Sequence, residues 1–446
     1  MRAGSIEPPR SGSVLLLAGS LLLALALMLL SYRQLIGREN GAVAPAPKDA
    51  LAATNGVISF WEQRVHDNPG DFIGYDKLAE AYARRARATN DVSDYSRAEA
   101  AARASLRELP GDNYNALAML ASLQATKHDF QGALETAQRA IVVDPVDPYA
   151  QGVLGDAKMA LGRYDEASQT YEGLVAKAPG LSTFSRLAYI LEQRGETDAA
   201  ELAWQNALST DGGRQPDNTA WARVQFGNFY FTRGDLEKAE AQYEASLRAF
   251  PGYAHALAGL AKVHAARGDY GEATSLYEQV VARQPTPEYV SALGDVYRAA
   301  GRPDDADRQY ALVEAIDRLY KANGINTDLQ MALFFADHDL RLDDAVSQAR
   351  AVYEQRSGSV PVADVLAWAL YKDGRYDEGL GYSQEALRLG TRDSLLLFHA
   401  GMIEFRLGNH DKAREYLGAA LQINPRFSVL YADEAAATLD DLDKLR

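Results

Sequence analysis

Apolar residues return along most of this chain at i, i+3, i+4 and i+7, the spacing of one buried stripe on an α-helix, and the stripes come in pairs joined by glycine. Phe226, Gly227 and Tyr230 share one stripe, Gly234 turns the chain, and Ala239, Tyr243 and Ser246 share the next before Pro251. The following unit repeats these offsets with Leu257, Leu260, Ala261 and His264, then Gly268, then Tyr270, Ala273, Tyr277 and Val280 before Pro285. Glycine tolerates the left-handed backbone that ends a helix, and proline cannot continue one. The pattern predicts helical hairpins in series.

Two spacings measure the period. Pro145 and Pro179 are 34 residues apart, as are Pro251 and Pro285. Gly162, Gly195, Gly234, Gly268, Gly301, Gly374 and Gly408 follow one another at intervals of 33, 39, 34, 33, 73 and 34. The long interval predicts a unit that lacks its glycine, over Asp328 to Arg356, where Ala345, Ala349 and Val352 keep the second-helix spacing. Such a period marks a solenoid, in which each hairpin buries its apolar face on the next.

The offsets give a large residue, Leu followed by Gly or Ala, an aromatic, Gly, Ala, an aromatic, Ala and Pro. They resemble the tetratricopeptide repeat (TPR) family over Asp71 to about Phe427. The resemblance implies an all-α fold, a right-handed α-solenoid of about ten helix-turn-helix repeats. One irregular unit runs from Asp71 to Pro110, eight from Asp112 to Thr391, and one from Asp393 to Pro425. An insertion at Ala86 to Ser93, the loop Asp211 to Asn218 and the stretch Lys321 to Thr327 break the pattern and are expected to bend the stack. The solenoid is expected over residues 56–427. Residues 428–446, apolar at Leu430, Ala435 and Leu439, are expected to form a capping helix and tail.

The amino-terminal end reads differently. After a short tail, residues 1–10, the 22 residues from Ser11 to Tyr32 are uncharged, and ten of the 17 from Val14 to Leu30 are leucine. At 1.5 Å per residue such a helix spans roughly 33 Å, enough for a hydrocarbon core of about 30 Å. Residues 11–32 are therefore expected to be an N-terminal transmembrane helix and signal anchor in contact with the lipid bilayer. Cleavage is disfavoured, because Ser31-Tyr32-Arg33-Gln34 lacks a small-x-small pattern and Pro45 follows Ala42-Val43-Ala44. Arg2 and Arg10 face Arg33, Arg38 and Lys48 across the segment. A short tail before a lone span favours an exported body, periplasmic or extracellular. Residues 33–55, rich in Ala, Pro and Gly, read as a linker.

Charge and composition narrow the partners. The chain carries 46 Lys and Arg against 61 Asp and Glu, a formal charge of −15, which disfavours nucleic acid. Without cysteine there is no disulfide, thiolate zinc site or cysteine nucleophile. No phosphate-binding glycine loop, His-Glu-x-x-His or Gly-x-Ser-x-Gly occurs. Histidines such as His255, His264 and His399 are scattered and read as packing or surface residues. Asp304-Asp305, Asp343-Asp344 and Asp440-Asp441 sit at helix starts or in the tail. The reading is of a protein that is not an enzyme and has no catalytic residue, cofactor or metal.

The family resemblance implies a groove lined by the second, fifth, ninth and twelfth positions of each first helix. Here these include Tyr149, Asp156, Arg186, Tyr189, Trp221, Asn228, Phe231, Lys262, Asp295, Arg298, Asp364, Trp368 and Tyr371. Aromatics mixed with both signs of charge suit an extended or helical peptide. The carboxylate clamp of chaperone-binding members is absent, since Val224 precedes Asn228, and Gly259, Glu288 and Ala292 occupy its later places. Tyr171, Trp204, Tyr243, Tyr277 and Tyr310 share a second-helix position and are expected to pack between helices. The chain is thus expected to be a membrane-tethered adaptor for protein or peptide partners, active in envelope complex assembly. The alternative is an accessory protein holding a small molecule or glycan for a partner enzyme.

Overall fold

The computed structural model describes residues 48–211 and 216–445. The expected membrane segment, residues 11–32, lies outside them, as do the tail before it and residues 33–47 of the linker. Among the described residues no helix is long and apolar enough to cross a membrane. The linker is corrected at its far end, because residues 48–55 open a helix, α1 (Lys48–Asp67). Ala50, Ala52 and Ala53 favour helix, and Ile58, Trp61 and Val65 give it a face to bury on the first hairpin.

Ten hairpins follow. They are α2–α3 (Phe72–Thr89, Ser93–Glu108), α4–α5 (Tyr114–Thr126, Phe130–Val143), α6–α7 (Pro148–Ala160, Tyr164–Lys177), α8–α9 (Leu181–Gln193, Thr197–Ser209) and α10–α11 (Pro216–Thr232, Leu236–Ala249). The second five are α12–α13 (Ala254–Ala266, Tyr270–Arg283), α14–α15 (Pro287–Ala299, Pro303–Ala322), α16–α17 (Asp328–Asp337, Leu342–Gln355), α18–α19 (Val360–Lys372, Tyr376–Ala386) and α20–α21 (Ser394–Arg406, His410–Ile423). The last described helix, α22 (Ala432–Lys444), buries Ala435 and Leu442. The fold is all-α, and the unit without a glycine is present as α16–α17, turned by Asp339 and Arg341 at φ 54° and 44°.

Local chemistry explains the boundaries. Asp71, Asn113, Asp129, Asp147, Asp235 and Asp269 each stand just before a helix and accept a backbone N–H from its first turn. Between helices, the second-helix tyrosines need glycine opposite them. A methyl group on Gly155 would lie 2.4 Å from the Tyr171 ring, and one on Gly294 would lie 2.5 Å from Tyr310. Tyr243 wedges between Gly227 of its own hairpin and Gly259 of the next, each 2.5 Å from the same ring. Tyr171, Trp204, Tyr243, Tyr277 and Tyr310 are all buried.

Repeat solenoids are held mainly by contacts between neighbours. This one also touches itself a full superhelical turn later. His128 Nδ1 bonds the Asn326 carbonyl, Arg356 Nε donates to Ala160 O at 3.0 Å, and Val360 N donates to the Tyr164 hydroxyl at 2.8 Å. Asn424 Nδ2 donates to Phe231 O at 2.8 Å. These partners are 193 to 198 residues apart, which at the observed period is about six hairpins. The geometry is regular. Loops between upper hairpins rest on the turns within lower ones, and the Arg356 and Asn424 side chains donate to carbonyls at first-helix C-termini. Lys321 to Thr327, expected as a bend, supplies one of these docking loops.

Candidate functional site

Four of the thirteen expected groove residues, Asp156, Arg186, Asn228 and Asp295, are committed to a ladder within the fold. Tyr171 donates its hydroxyl to Asp156 at 3.0 Å, Tyr243 to Asn228 at 2.8 Å, and Tyr310 to Asp295 at 2.9 Å. Each pair is fifteen residues apart, so one helical position recurs in a single role, that of satisfying a buried phenol. Asp156 is also gripped by Arg186 through Nε and Nη2, at 2.8 and 2.7 Å. His338 Nε2 lies 2.7 Å from Asp295 while its Nδ1 meets the Phe334 carbonyl. Burial opposes charge on that imidazole, but Asp295 prevails and holds its pKa above the ordinary value.

Four expected groove residues are buried, which corrects their assignment. Phe231, Asp364, Trp368 and Tyr371 have relative exposures of 7%, 6%, 1% and 9%. Asp364 accepts from His399 Nδ1 at 3.0 Å, and the His399 ring stacks on Trp368 with centroids 4.2 Å apart. Trp368 Nε1 donates to Asp337 Oδ1 at 2.9 Å, and Tyr431, just before α22, bonds the same carboxylate at 3.0 Å. Tyr431 thus covers Trp368, and the polar groups of Asp364, Trp368 and Asp337 are paired within the fold.

Five expected residues remain open. Tyr149, Tyr189 and Trp221 sit on the first helices of three successive hairpins and are 48%, 47% and 43% exposed. Arg298 is exposed and paired with Asp307 at 3.1 Å. Lys262 is exposed, with Nζ 4.9 Å from the Phe231 ring centroid. Desolvation still lowers its pKa, opposed by Glu288 and by Asp393. Water reaches Lys262, yet protein surrounds it, and Asp393 acts on it from four hairpins away.

Sequence reading missed the groups beside Tyr189. Glu192, one turn on, has its carboxyl pushed up to about 7 by burial, although Trp204 Nε1 donates to it at 2.6 Å. Gln193, and Arg356 and Ser359 from the upper tier, join Tyr189 around a shared cavity. No spacing within one repeat could place Arg356 there.

Profiles of the tetratricopeptide repeat match residues 118–182, 153–219 and 365–426, and a second such profile matches 230–296. The chain belongs to the tetratricopeptide repeat family. Among curated relatives, Cellulose synthase 1 operon protein C of Komagataeibacter xylinus is 25% identical over 266 residues, 56% of this chain and 19% of that one. Cellulose synthase operon protein C of Pseudomonas fluorescens (strain SBW25) is 24% identical over 246 residues, 53% of this chain and 18% of that one. The chain thus spans about a fifth of the length of these relatives. Anaphase-promoting complex subunit 7 of Arabidopsis thaliana is 24% identical over 214 residues, 45% of this chain and 38% of that one. Among solved structures, the APC/C hetero-tetramer Cut9-Hcn1 superposes with TM-score 0.38 at 14% identity, covering 88% of this chain and 94% of that one. PilW, a type IV pilus biogenesis factor, gives TM-score 0.38 at 19% identity, covering 46% and 97%.

Proposed function

We propose that this TPR protein is a membrane-tethered scaffold whose concave first-helix surface holds a segment of a partner protein, and that it acts by binding rather than by catalysis. One observation carries the reading: Tyr149, Tyr189 and Trp221, on successive hairpins, present half-exposed rings to that surface. Large aromatics left open on a rigid concave wall suit recognition of a peptide chain. The formal charge of −15 supports a partner other than nucleic acid.

The uncharged run over residues 11–32 supports the tether, with the body exported. Relatives named as cellulose synthase operon proteins support work within an envelope assembly. Those names also favour a second reading, a glycan or small molecule held for a partner enzyme. Protease protection in spheroplasts tests the orientation, and a body shielded from outside would overturn it.

The partner reading is tested with the full-length chain carrying a photo-crosslinking phenylalanine at position 189. It is expected to capture a discrete protein, and replacing Tyr149 and Trp221 together by Ala is expected to reduce capture at least severalfold. Undiminished capture would move the partner off this surface. Saturable glycan binding without any captured protein would favour the second reading.

A further inference from the structure

A cavity of about 300 Å³ lies where the two tiers meet beside Tyr189. The lower tier supplies Tyr164, Tyr189 and Gln193, and the upper tier supplies Arg356, Ser359 and Pro361. The space exists because the superhelix has closed on itself. Asp156, the carboxylate in its wall, is already satisfied, since Arg186 donates to it twice and Tyr171 once.

What remains in the wall is donors. Arg356 Nε donates to the Ala160 carbonyl at 3.0 Å, which uses one of five guanidinium N–H groups, and among the described residues no Asp or Glu forms an ion pair with it. Burial lowers its pKa, as expected of a cation drawn away from water without a counter-charge. The Tyr164 hydroxyl accepts from Val360 N at 2.8 Å, which leaves its own proton to be placed. Beside it the Ser359 hydroxyl is buried, at 1% exposure, without a hydrogen-bond partner. Two neighbouring hydroxyls carry two protons and can bond each other through only one of them, so one proton is left over. Helix α18 also begins here, with Ser359 as its cap and Pro361 in its first turn, and turns the positive end of its dipole to the same space.

We propose that this cavity is a binding site for a phosphate group, either free or borne by a small polar molecule as a monoester. The fork of Arg356 alone would satisfy a flat anion. Here donors also come from α7 at Tyr164, from α8 at Tyr189 and Gln193, and from Ser359, and oxygens at the corners of a tetrahedron can meet them from several sides. Room beside Tyr189 and Gln193 takes the body of an ester. Because its donors belong to both tiers, the ligand also ties them together. The inference goes beyond the partner reading and does not depend on it.

The test uses the full-length protein in maltoside detergent and phosphate-free buffer, titrated by calorimetry with inorganic phosphate and glycerol 3-phosphate, and with acetate and glycerol as counterparts. The tighter of the two phosphates is expected to bind at least tenfold more tightly than acetate, and glycerol is expected not to bind. Arg356→Gln is expected to weaken phosphate binding tenfold or more, and Arg318→Gln, exposed on α15, to leave it unchanged. Arg356 also bridges the tiers, so Ser359→Ala provides a second reading. Its hydroxyl bonds nothing in the fold, so the urea midpoint is expected to hold while affinity falls severalfold. Tighter binding of the ester assigns a monoester and equal affinity assigns free phosphate, and either result upholds the site. Acetate that binds as tightly as both phosphates, absence of any binding, or affinity indifferent to both the Arg356 and Ser359 changes would overturn it.

Discussion

The turn at Gly162 rests on the loop at Gly358, almost 200 residues later, so closely that a methyl group on Gly162 would fall 2.3 Å from the Gly358 carbonyl carbon. Gly374 makes the same turn, with φ 81° against 76°, but nothing approaches it within 4 Å. The pair separates two effects that a glycine usually mixes. Alanine at either site meets the left-handed backbone, at roughly 1–2 kcal/mol. At Gly162 it must also displace a backbone, which adds about 1–3 kcal/mol. Gly162→Ala is therefore expected to unfold at clearly lower urea than Gly374→Ala. Equal midpoints would mean that the tier contact yields freely.

Trp368 and Trp221 were equivalent as groove positions in the sequence, and they diverge in the structure at 1% and 43% exposure. Trp368→Ala removes a ring that bonds Asp337 and stacks on His399, and is expected to cost about 3–5 kcal/mol. Trp221→Ala is expected to change stability by no more than about 0.5 kcal/mol while weakening partner capture. Thermal unfolding beside crosslinking yield measures both halves of the contrast.

Glu192 gives the fold a pH dependence. Its carboxyl is pushed from 4.5 up to about 7, first by burial, with Asp393 adding repulsion and Trp204 and Arg233 opposing. A group raised on folding stabilises the protein fully below its unfolded value, and that contribution is lost as pH rises through the folded one. Stability attributable to Glu192 should thus fall between about pH 4.5 and 7, by roughly 2 kcal/mol after allowance for partial solvent access. Glu192→Gln can still accept from the Trp204 indole, and the difference between variant and parent in urea midpoint is expected to grow across that window. A difference independent of pH would place the proton elsewhere.

Much of this architecture was legible because a hairpin is a local object. Glycine and proline spacing located the turns, and Ala345, Ala349 and Val352 were enough to place the unit without a glycine. The tiers were not legible by that route, since their contacts join residues six hairpins apart. A signal was nevertheless present. Loops on the free lower edge carry Pro110, Pro145, Pro179, Pro251 and Pro285, whereas three of the docking loops carry Asn326, Gly358 and Gly390, and the fourth keeps Pro425 behind Asn424. In those three a small or hydrogen-bonding residue stands where a second backbone must approach. Groove reading failed at Trp368 and Tyr371 for a related reason: Tyr431, whose ring lies 5.3 Å from Trp368, arrives from outside the repeat pattern.

Closure of the superhelix is itself open to measurement. Neighbouring hairpins share broad apolar contacts such as Tyr243 between Gly227 and Gly259, and these survive if the tiers part. The tier contacts are narrower, made of turns and single hydrogen bonds, each worth about 1 kcal/mol. Combining Asn424→Ala, His128→Ala and Gly195→Val removes two bonds and forces a side chain toward the Gly390 carbonyl, 2.2 Å from the position of the first added carbon. Helix content by circular dichroism is expected to stay constant while small-angle X-ray scattering shows a larger radius of gyration. The cavity beside Tyr189 should open with it, because its two walls belong to different tiers. Unchanged scattering would show that packing between neighbours alone sets the pitch, and that the tiers touch as a consequence of it.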